Sequence, residues 1–316
     1  MILSERNAMS RRIIAAVFGV TLLHAGRLSA QSIPKDFVTD IKSGVSDVLV
    51  VWAAPFRGSA RDYAMGAASL GLAGTFGLAD KRVATWVSTH PSSGAMRALR
   101  PLRQGQGDVY VKAAGGSGHT PGAFAVYTVG LLTRSQAIRD LGMGCLAAAE
   151  AHMTFRQIVY ASVSRERPLY RDTVDGVPIE RAGRAYDVRF PGTSSPDDNS
   201  FFSGHAASVF SCVTFVNTRF HLRYAEPVLW AFAGALSAGR AADQRHYVSD
   251  VLIGSLIGFG AGRLVGHRSL ARMEQRAKNN AITAPDSSRE ASRSWRGGMY
   301  LSRHGSSMVV GWRAMR

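Results

Sequence analysis

The feature that most constrains the fold of this chain is a series of apolar stretches with helical spacing. In residues 36–52, apolar side chains such as Phe37, Ile41 and Val45 recur every three to four positions, as on one face of an amphipathic helix. Continuous strand alternation is nearly absent between the stretches. The pattern predicts an all-α fold, a compact bundle of about six core helices. These core helices are predicted at residues 63–78, 123–132, 139–162, 205–216, 226–238 and 246–264.

The lengths of these stretches favour a soluble bundle over a membrane-embedded one. Each clean apolar run covers about 10 to 19 residues, whereas a helix needs about 20 apolar residues to span a bilayer. Several runs also carry ionisable side chains, namely Glu150, His152 and Asp250. Small residues are plentiful and permit close helix packing in water or in lipid. An integral membrane protein with a periplasm-facing site therefore stays open as the alternative.

The N-terminus has the order of a secretory signal peptide. Arg11 and Arg12 precede an apolar run at residues 13–23, and small residues follow up to Ala30. We predict a signal peptide at residues 1–30 and an exported protein, periplasmic or extracellular. An uncleaved anchor is the alternative interpretation.

The charge and the cysteines bear on partners and compartment. The chain has 38 Lys and Arg against 22 Asp and Glu, a net charge of +16, which favours a phosphate-bearing substrate, a lipid among the options, and contact with a membrane surface. Nucleic acid is not among the predicted partners.

Cys145 and Cys212 lie in predicted helices without any zinc-site spacing. Buried free thiols are the preferred interpretation, and one disulfide is the alternative.

Three segments depart from the pattern of core helices. Residues 91–119 are rich in Ser, Gly and basic residues and are predicted to form a surface loop. Residues 170–200 contain several Pro and Asp without helical spacing, and such a long segment is typical of a functional lid. Residues 299–312 favour a small hairpin with its turn at Gly305-Ser306.

Arg240, His246 and Asp250 form the first group of chemically active residues. On a helix, residues four apart share one face, so Asp250 is expected to accept a hydrogen bond from one ring nitrogen of His246. That bond fixes the tautomer and leaves the other nitrogen as a base or a nucleophile. Arg240 adds fixed positive charge nearby. A nucleophile, an orienting carboxylate and an anion-binding group together indicate phosphoryl chemistry.

Two further segments supply what such chemistry needs. Pro168 ends the predicted helix beside Arg165 and Arg167, so both arginines are expected at its exposed end. Ser203 is a suitable N-cap for the helix that follows, and His205 at that helix N-terminus suits a general acid. A helix N-terminus also offers unpaired N–H groups to an anion.

In their order and spacing, these segments resemble the three signature motifs of the type 2 phosphatidic acid phosphatase / vanadium haloperoxidase superfamily. Those motifs are a lysine six residues before Arg-Pro, then Pro-Ser-Gly-His, then Ser-Arg, five residues, His, three residues and Asp. The corresponding segments of this chain are Tyr160-x6-Arg167-Pro168, Phe202-Ser203-Gly204-His205 and Gly239-Arg240-x5-His246-x3-Asp250. The resemblance covers roughly residues 63–265 and implies an acid phosphatase / haloperoxidase-like helical fold.

The resemblance also implies a role for each matching residue. His246 is the nucleophile, Asp250 orients it, and His205 protonates the leaving oxygen. The phosphate oxygens are held by Arg167, Arg240, Ser203 and Gly204. The resemblance implies neither a metal nor a cofactor. The implied domains are a signal peptide at 1–30, an N-terminal helical segment at 31–62, a phosphatase catalytic domain at 63–268 and a basic polar tail at 269–316.

This chain departs from the motifs at three positions. Tyr160 stands where the motifs have lysine, Phe202 replaces the proline, and Gly239 replaces the serine. The missing lysine removes one cation, which Arg156, one turn earlier, or Arg165 is predicted to replace. A second Ser-Gly-His sequence ends at His119, but it precedes the Arg-Pro motif and is predicted to be non-catalytic.

The sequence thus predicts a metal-independent phosphatase that acts through a phosphohistidine. Its expected substrates are phosphomonoesters or pyrophosphates, either lipid phosphates or broad acid-phosphatase substrates. A vanadium-dependent haloperoxidase is one alternative, because vanadate mimics phosphate. A non-enzymatic protein that binds anions or membranes is the other.

Overall fold

A computed structural model describes residues 32–99, 119–174, 177–192, 198–283, 296–304 and 307–315. The predicted signal peptide, the turn at Gly305-Ser306 and most of the predicted loop at 91–119 lie outside these residues. Two compact units are present, one that ends at Ser269 and one from Leu270 to Arg316. The finer division at residues 62 and 268 stays a prediction.

The all-α prediction is confirmed in the described part of the chain, which contains eight α-helices and a short helical stretch at residues 94–99. The helices are α1 (Ser32–Ala53), α2 (Ala60–Thr75), α3 (Asp80–Thr89), α4 (His119–Thr133), α5 (Gln136–Ser162), α6 (Gly204–Phe220), α7 (Glu226–Ala242) and α8 (Val248–Thr283). Two predictions need correction. Residues 94–99 are helical, with Met96 buried, where a loop was expected, and α8 begins two residues after His246.

The described residues also form two short 3₁₀ helices, Ala54–Phe56 and Phe76–Ala79, and three small antiparallel pairs of strands. They are β1 (Ser164–Arg165) with β4 (Val188–Arg189), β2 (Leu169–Val174) with β3 (Val177–Ala182), and β5 (Arg296–His304) with β6 (Ser307–Met315). The last pair confirms the predicted C-terminal hairpin. The β2–β3 hairpin lies largely inside residues 170–200, the segment predicted to lack helical spacing and to resemble a functional lid.

The base of the β2–β3 hairpin is fixed by one buried carboxylate. Glu166, only 1% exposed, accepts two hydrogen bonds from the guanidinium of Arg181, at 2.8 and 2.9 Å. It also accepts from the backbone N–H and the side chain of Arg184, at 2.7 to 3.1 Å. Charge-assisted bonds of this kind are stronger than neutral ones, so they attach the hairpin to the start of the Arg-Pro segment.

A disulfide joins Cys145 in α5 to Cys212 in α6. The preferred interpretation of two free thiols was therefore wrong. The bond lies in a buried apolar cluster with Phe215 and Val265, and it links the helix that precedes Arg167 to the helix that begins at Gly204. Disulfides persist in oxidising compartments, which agrees with the predicted export.

Four glycines at intervals of four residues let α8 approach α6 closely. A Cβ added at Gly254, Gly258 or Gly262 would lie 2.1 to 2.4 Å from a backbone oxygen of residues 203–211, and one at Gly266 would lie 2.6 Å from Thr218. No side chain fits in that space, because real Cβ atoms do not approach other atoms so closely. The contact begins at Gly254 against Ser203 and so aligns the start of α6 with the first turn of α8.

By length and composition alone, one helix within the described residues is long and apolar enough to cross a bilayer. It spans Val248–Asn279, and half of its most apolar window is buried inside the fold. Buried core helices of soluble proteins have the same composition. The soluble and the membrane-embedded interpretations therefore both stay open.

Candidate active site

His246 lies in the turn between α7 and α8. Its side chain is buried, with 3% of the residue exposed, and its Nδ1 lies 2.7 Å from the backbone carbonyl oxygen of Ser200. A carbonyl oxygen only accepts hydrogen bonds, so Nδ1 carries the hydrogen and the lone pair of Nε2 is available for chemistry. The backbone of Ser200 thus orients the predicted nucleophile.

In the described part of the chain, Asp250 and His246 do not form the predicted hydrogen bond. Asp250, fully buried in the first turn of α8, accepts from Ser200 Oγ at 2.6 Å and from the backbone N–H of Tyr247 at 2.9 Å. The expectation of one shared helix face was wrong because His246 precedes the helix. Asp250 instead holds the side chain of Ser200, and the carbonyl of Ser200 orients His246.

Arg165 faces the buried carboxylates, which corrects its predicted role as a phosphate ligand. Its Nη1 donates to Asp250 Oδ1, and its Nη2 lies 2.8 Å from Oδ2 of Asp80. Its Nε and Nη2 also donate to the carbonyl oxygen of Ala185, at 2.9 and 2.6 Å. All three nitrogens of the guanidinium are thereby engaged within the protein. Arg165 thus supports the site by holding the carboxylates of Asp250 and Asp80 in place.

Burial sets the protonation states of the two central groups. The pKa of His246 is lowered well below 6.5, first by burial and then by the positive charges of Arg240 and Arg167. Burial raises the pKa of Asp250 to about 6, against the opposing influence of Arg165 and of the hydrogen bond from Ser200. At neutral pH the imidazole is therefore uncharged, as a nucleophile requires, and the carboxylate is ionised.

The Ser203-Gly204-His205 segment forms the N-terminus of α6, as predicted. Ser203 is the N-cap, and its Oγ accepts from the backbone N–H of Ala206 at 3.4 Å. Its own backbone N–H donates to the carbonyl oxygen of Asp250 at 3.0 Å, which ties this turn to the start of α8. The half-buried His205 stands in the first turn of α6, where backbone N–H groups lack helical partners and attract anions.

Arg156 lies directly against this helix N-terminus. A Cβ added at Gly204 would lie 2.4 Å from Nη1 of Arg156, so only glycine lets the guanidinium approach this closely. Nε of Arg156 is buried and has no hydrogen-bond partner among the described residues. A buried donor in this state suits a bound anion. The geometry therefore supports the prediction that Arg156 takes the place of the missing lysine.

Tyr160, at the lysine position, has a structural contact instead. Its hydroxyl donates to the carbonyl oxygen of Phe202 at 3.2 Å, and the guanidinium of Arg156 stands 5.1 Å from the centre of its ring. Tyr160 thus supports both the turn before α6 and the nearby cation. Phe202, at the proline position, is fully buried.

Arg240 and Arg167 supply positive charge beside His246. Arg240 lies in the last turn of α7, 9% exposed, and burial lowers its pKa to about 10, with Asp243 opposing and Arg167 and Arg245 adding to the shift. Nε of Arg240 is buried without a hydrogen-bond partner in the described structure. An anion bound between two such buried cations stabilises both of them, because it offsets their mutual repulsion.

The structure adds three residues that sequence reasoning missed. Ser249 lies within the third motif and Ser200 lies two residues before the second, and both are buried polar residues. Asp80, at the start of α3, lies far from every motif in sequence, so no sequence signal could have found it. Within the described residues, no group of three or more His, Cys, Asp or Glu side chains could hold a metal ion.

Comparison with known proteins connects this geometry to a family. The model of the family described as the PAP2 superfamily matches residues 162–273. That segment contains Arg165, Arg167, the start of α6, Arg240 and the turn with His246. The resemblance predicted from the three motifs is therefore confirmed.

One curated relative is a lipid A 1-phosphatase of Porphyromonas gingivalis. It is 36% identical over 72 residues, which cover 21% of this chain and 15% of the relative. This chain thus matches only a small part of the relative's length. No solved structure matches the chain. The match to the PAP2 superfamily thus covers residues 162–273, the segment that carries the site.

Proposed function

We propose that this chain is a phosphatase that hydrolyses phosphomonoesters or pyrophosphates through a phosphohistidine on His246. A phosphatase of the PAP2 type agrees with the family match. The observation that carries the proposal is the state of His246: buried, uncharged, and held at Nδ1 by a backbone carbonyl so that only Nε2 can react.

In the first step, Nε2 of His246 attacks phosphorus and the bond to the leaving oxygen breaks. His205 donates a proton to that oxygen, so the alcohol or phosphate product leaves with this oxygen protonated. The phosphoryl group is now bonded to His246. Arg167, Arg240 and Arg156 surround its oxygens with positive charge, and the N–H groups at the start of α6 add to this stabilisation.

In the second step, water attacks the phosphorus of the phosphohistidine. His205, which lost its proton in the first step, accepts a proton from the water. The bond between phosphorus and Nε2 breaks, and inorganic phosphate leaves. The enzyme returns to its starting state with His205 protonated and His246 neutral.

The exposed surface and the net charge support a substrate that lies at a membrane. Large apolar side chains on α2 are exposed, among them Met65 at 60% and Leu72 at 66%, and the net charge of +16 favours an anionic surface. The relative named above acts on a lipid phosphate. Lipid phosphates are therefore the substrate class that we place first, ahead of soluble phosphate esters.

The test is a phosphate-release assay on the purified chain with lipid and soluble phosphates side by side. We expect turnover in the wild type and none above background in His246→Ala. Trapping of labelled phosphate on His246 would identify the intermediate. Hydrolysis by His246→Ala at the wild-type rate would exclude this mechanism.

A further inference from the structure

Asp80 is a buried acidic residue that the proposed reaction does not use. It is the first residue of α3 and 1% exposed, and it lies outside the segment 162–273 that matches the family. A buried carboxylate needs strong partners, because desolvation of a charge is costly. Its partners therefore indicate what it stabilises.

The side-chain hydrogen bonds of Asp80 go to Ser249 and Arg165, which support the candidate site. Its Oδ1 accepts from the backbone N–H of Ser249 at 3.0 Å, and its Oδ2 accepts from the hydroxyl of Ser249. Oδ2 also accepts from Nη2 of Arg165 at 2.8 Å. Asp80 thus holds the first turn of α8 and one branch of the Arg165 guanidinium at the same time.

A chain of hydrogen bonds connects Arg165 to the proposed nucleophile. Its Nη1 donates to Ser249 Oγ at 3.0 Å and to Oδ1 of Asp250. The other oxygen of Asp250 accepts from Ser200 Oγ at 2.6 Å, and the carbonyl of Ser200 accepts from His246 Nδ1 at 2.7 Å. The backbone of Arg165 also binds Ser200, whose N–H donates to its carbonyl at 3.0 Å.

We propose that Asp80 is a positioning residue for the reaction: through Arg165, Asp250 and Ser200 it fixes the direction in which His246 presents Nε2. The proposal rests on the proposed function. Two carboxylates share one guanidinium, so loss of the Asp80 charge frees one branch of Arg165. The guanidinium then turns toward Asp250, and Ser200 follows. Displacements of about 1 Å at a nucleophile cost up to about 100-fold in rate.

The experiment compares Asp80→Asn with the wild type in steady-state hydrolysis of a chromogenic phosphate ester. The amide has nearly the shape of the carboxylate but no charge. We expect kcat to fall about 10- to 100-fold. Inhibition by inorganic phosphate should change by less than about threefold, since Arg167 and Arg240 remain in place. Unchanged kcat in Asp80→Asn would overturn the proposal.

Asp47→Asn is the matched control for the loss of a buried ion pair. Asp47 is equally buried and pairs with Arg268 at 2.6 Å, on α1 and away from the site. We expect this variant to lose thermal stability but to keep the wild-type kcat. A parallel fall of kcat in both variants would assign Asp80 a general structural role and overturn the proposal. If Asp80→Asn does not fold, Ser249→Ala decides, with a lowered kcat expected and an unchanged kcat contradictory.

A readout without turnover separates this proposal from the proposed function. In ¹⁵N-labelled protein, the Nδ1 proton of His246 gives an NMR signal that is assigned by its loss in His246→Gln. We expect Asp80→Asn to shift or broaden it and Asp47→Asn to leave it in place. If the wild type hydrolyses no phosphate, the proposed function fails, and this signal still tests Asp80. An unchanged signal would overturn the positioning role.

Discussion

At the scale of residues, three consecutive side chains lie in three different surroundings. Arg165 binds Asp250 and Asp80, Glu166 binds the base of the β2–β3 hairpin, and the charge of Arg167 lowers the pKa of His246. Successive residues of an extended chain point to opposite sides, and this segment continues directly from β1. The sequence Arg-Glu-Arg is therefore not a uniform patch of charge, and only its last residue is proposed to bind phosphate.

Arg156 is predicted to supply the cation that Tyr160 does not. Arg156→Ala should lower kcat/KM about 10- to 150-fold, which corresponds to the loss of about 1.5–3 kcal/mol from a charge-assisted hydrogen bond. Steady-state kinetics on a soluble phosphate ester measures this effect. Tyr160→Phe is the control, because it removes only the hydroxyl bond to Phe202 and should change kcat/KM by less than about fivefold. Wild-type kcat/KM in Arg156→Ala would contradict the assignment.

The depressed pKa of His246 predicts a loss of stability in acid. In the folded state the pKa lies well below 6.5, whereas the unfolded chain binds a proton near that pH. The unfolded state therefore gains protons first as the pH falls below 6.5, and the free energy of unfolding decreases by up to about 1.4 kcal/mol per pH unit from this residue. Urea denaturation of the wild type and His246→Gln at two pH values, one on each side of 6.5, measures it. An equal acid dependence in both proteins would contradict the prediction.

At the scale of elements, periodicity predicted the helices well, because their apolar faces are long and regular. The start of α8 was predicted two residues early, since the apolar pattern does not show that Asp250 accepts from the backbone N–H of Tyr247 in the turn. Because His246 therefore lies before the helix, it does not share a helix face with Asp250. The β2–β3 hairpin could not be predicted, because its base depends on contacts between Glu166 and distant arginines.

The glycine contact between α6 and α8 predicts a sharp contrast between two alanine substitutions. Gly258→Ala should destabilise the fold by about 1–3 kcal/mol, because its Cβ would lie 2.1 Å from the carbonyl oxygen of Ala207. Gly260→Ala on the same helix meets no atom within 4 Å, so it should be neutral or stabilising by up to about 1 kcal/mol. Equilibrium urea unfolding compares the two. Equal effects would show that the close approach of the helices is not needed.

At the scale of the whole molecule, the disulfide agrees with the predicted export and joins two helices that carry residues of the candidate site. The disulfide between Cys145 and Cys212 connects the two helices that bring Arg156 and Gly204 together. An exported chain acquires such a bond after it leaves the reducing cytoplasm. Only the structure could establish the pairing, because two cysteines 67 positions apart give no sign of their separation in space.

The disulfide predicts a measurable loss when both cysteines are replaced. It closes a loop of 67 residues, and the chain-entropy relation gives about 4 kcal/mol of stabilisation for such a loop. Cys145→Ala/Cys212→Ala should unfold at correspondingly lower urea concentration than the oxidised wild type. Thiol titration of exported, denatured protein is the accompanying measurement, with no reactive thiol expected. Two reactive thiols per chain would contradict the pairing.

The attachment of the β2–β3 hairpin at its base has a consequence for how this chain can diverge. Glu166, Arg181 and Arg184 hold the base of the hairpin, so we expect changes of length between Val174 and Val177 to leave the orientation of Arg167 unaffected. Insertions in exposed connections are tolerated thermodynamically, because loop entropy grows slowly with length. We therefore expect that this hairpin can be lengthened while the residues proposed to bind phosphate keep their positions. The same property makes the hairpin the place to graft new recognition elements in the laboratory.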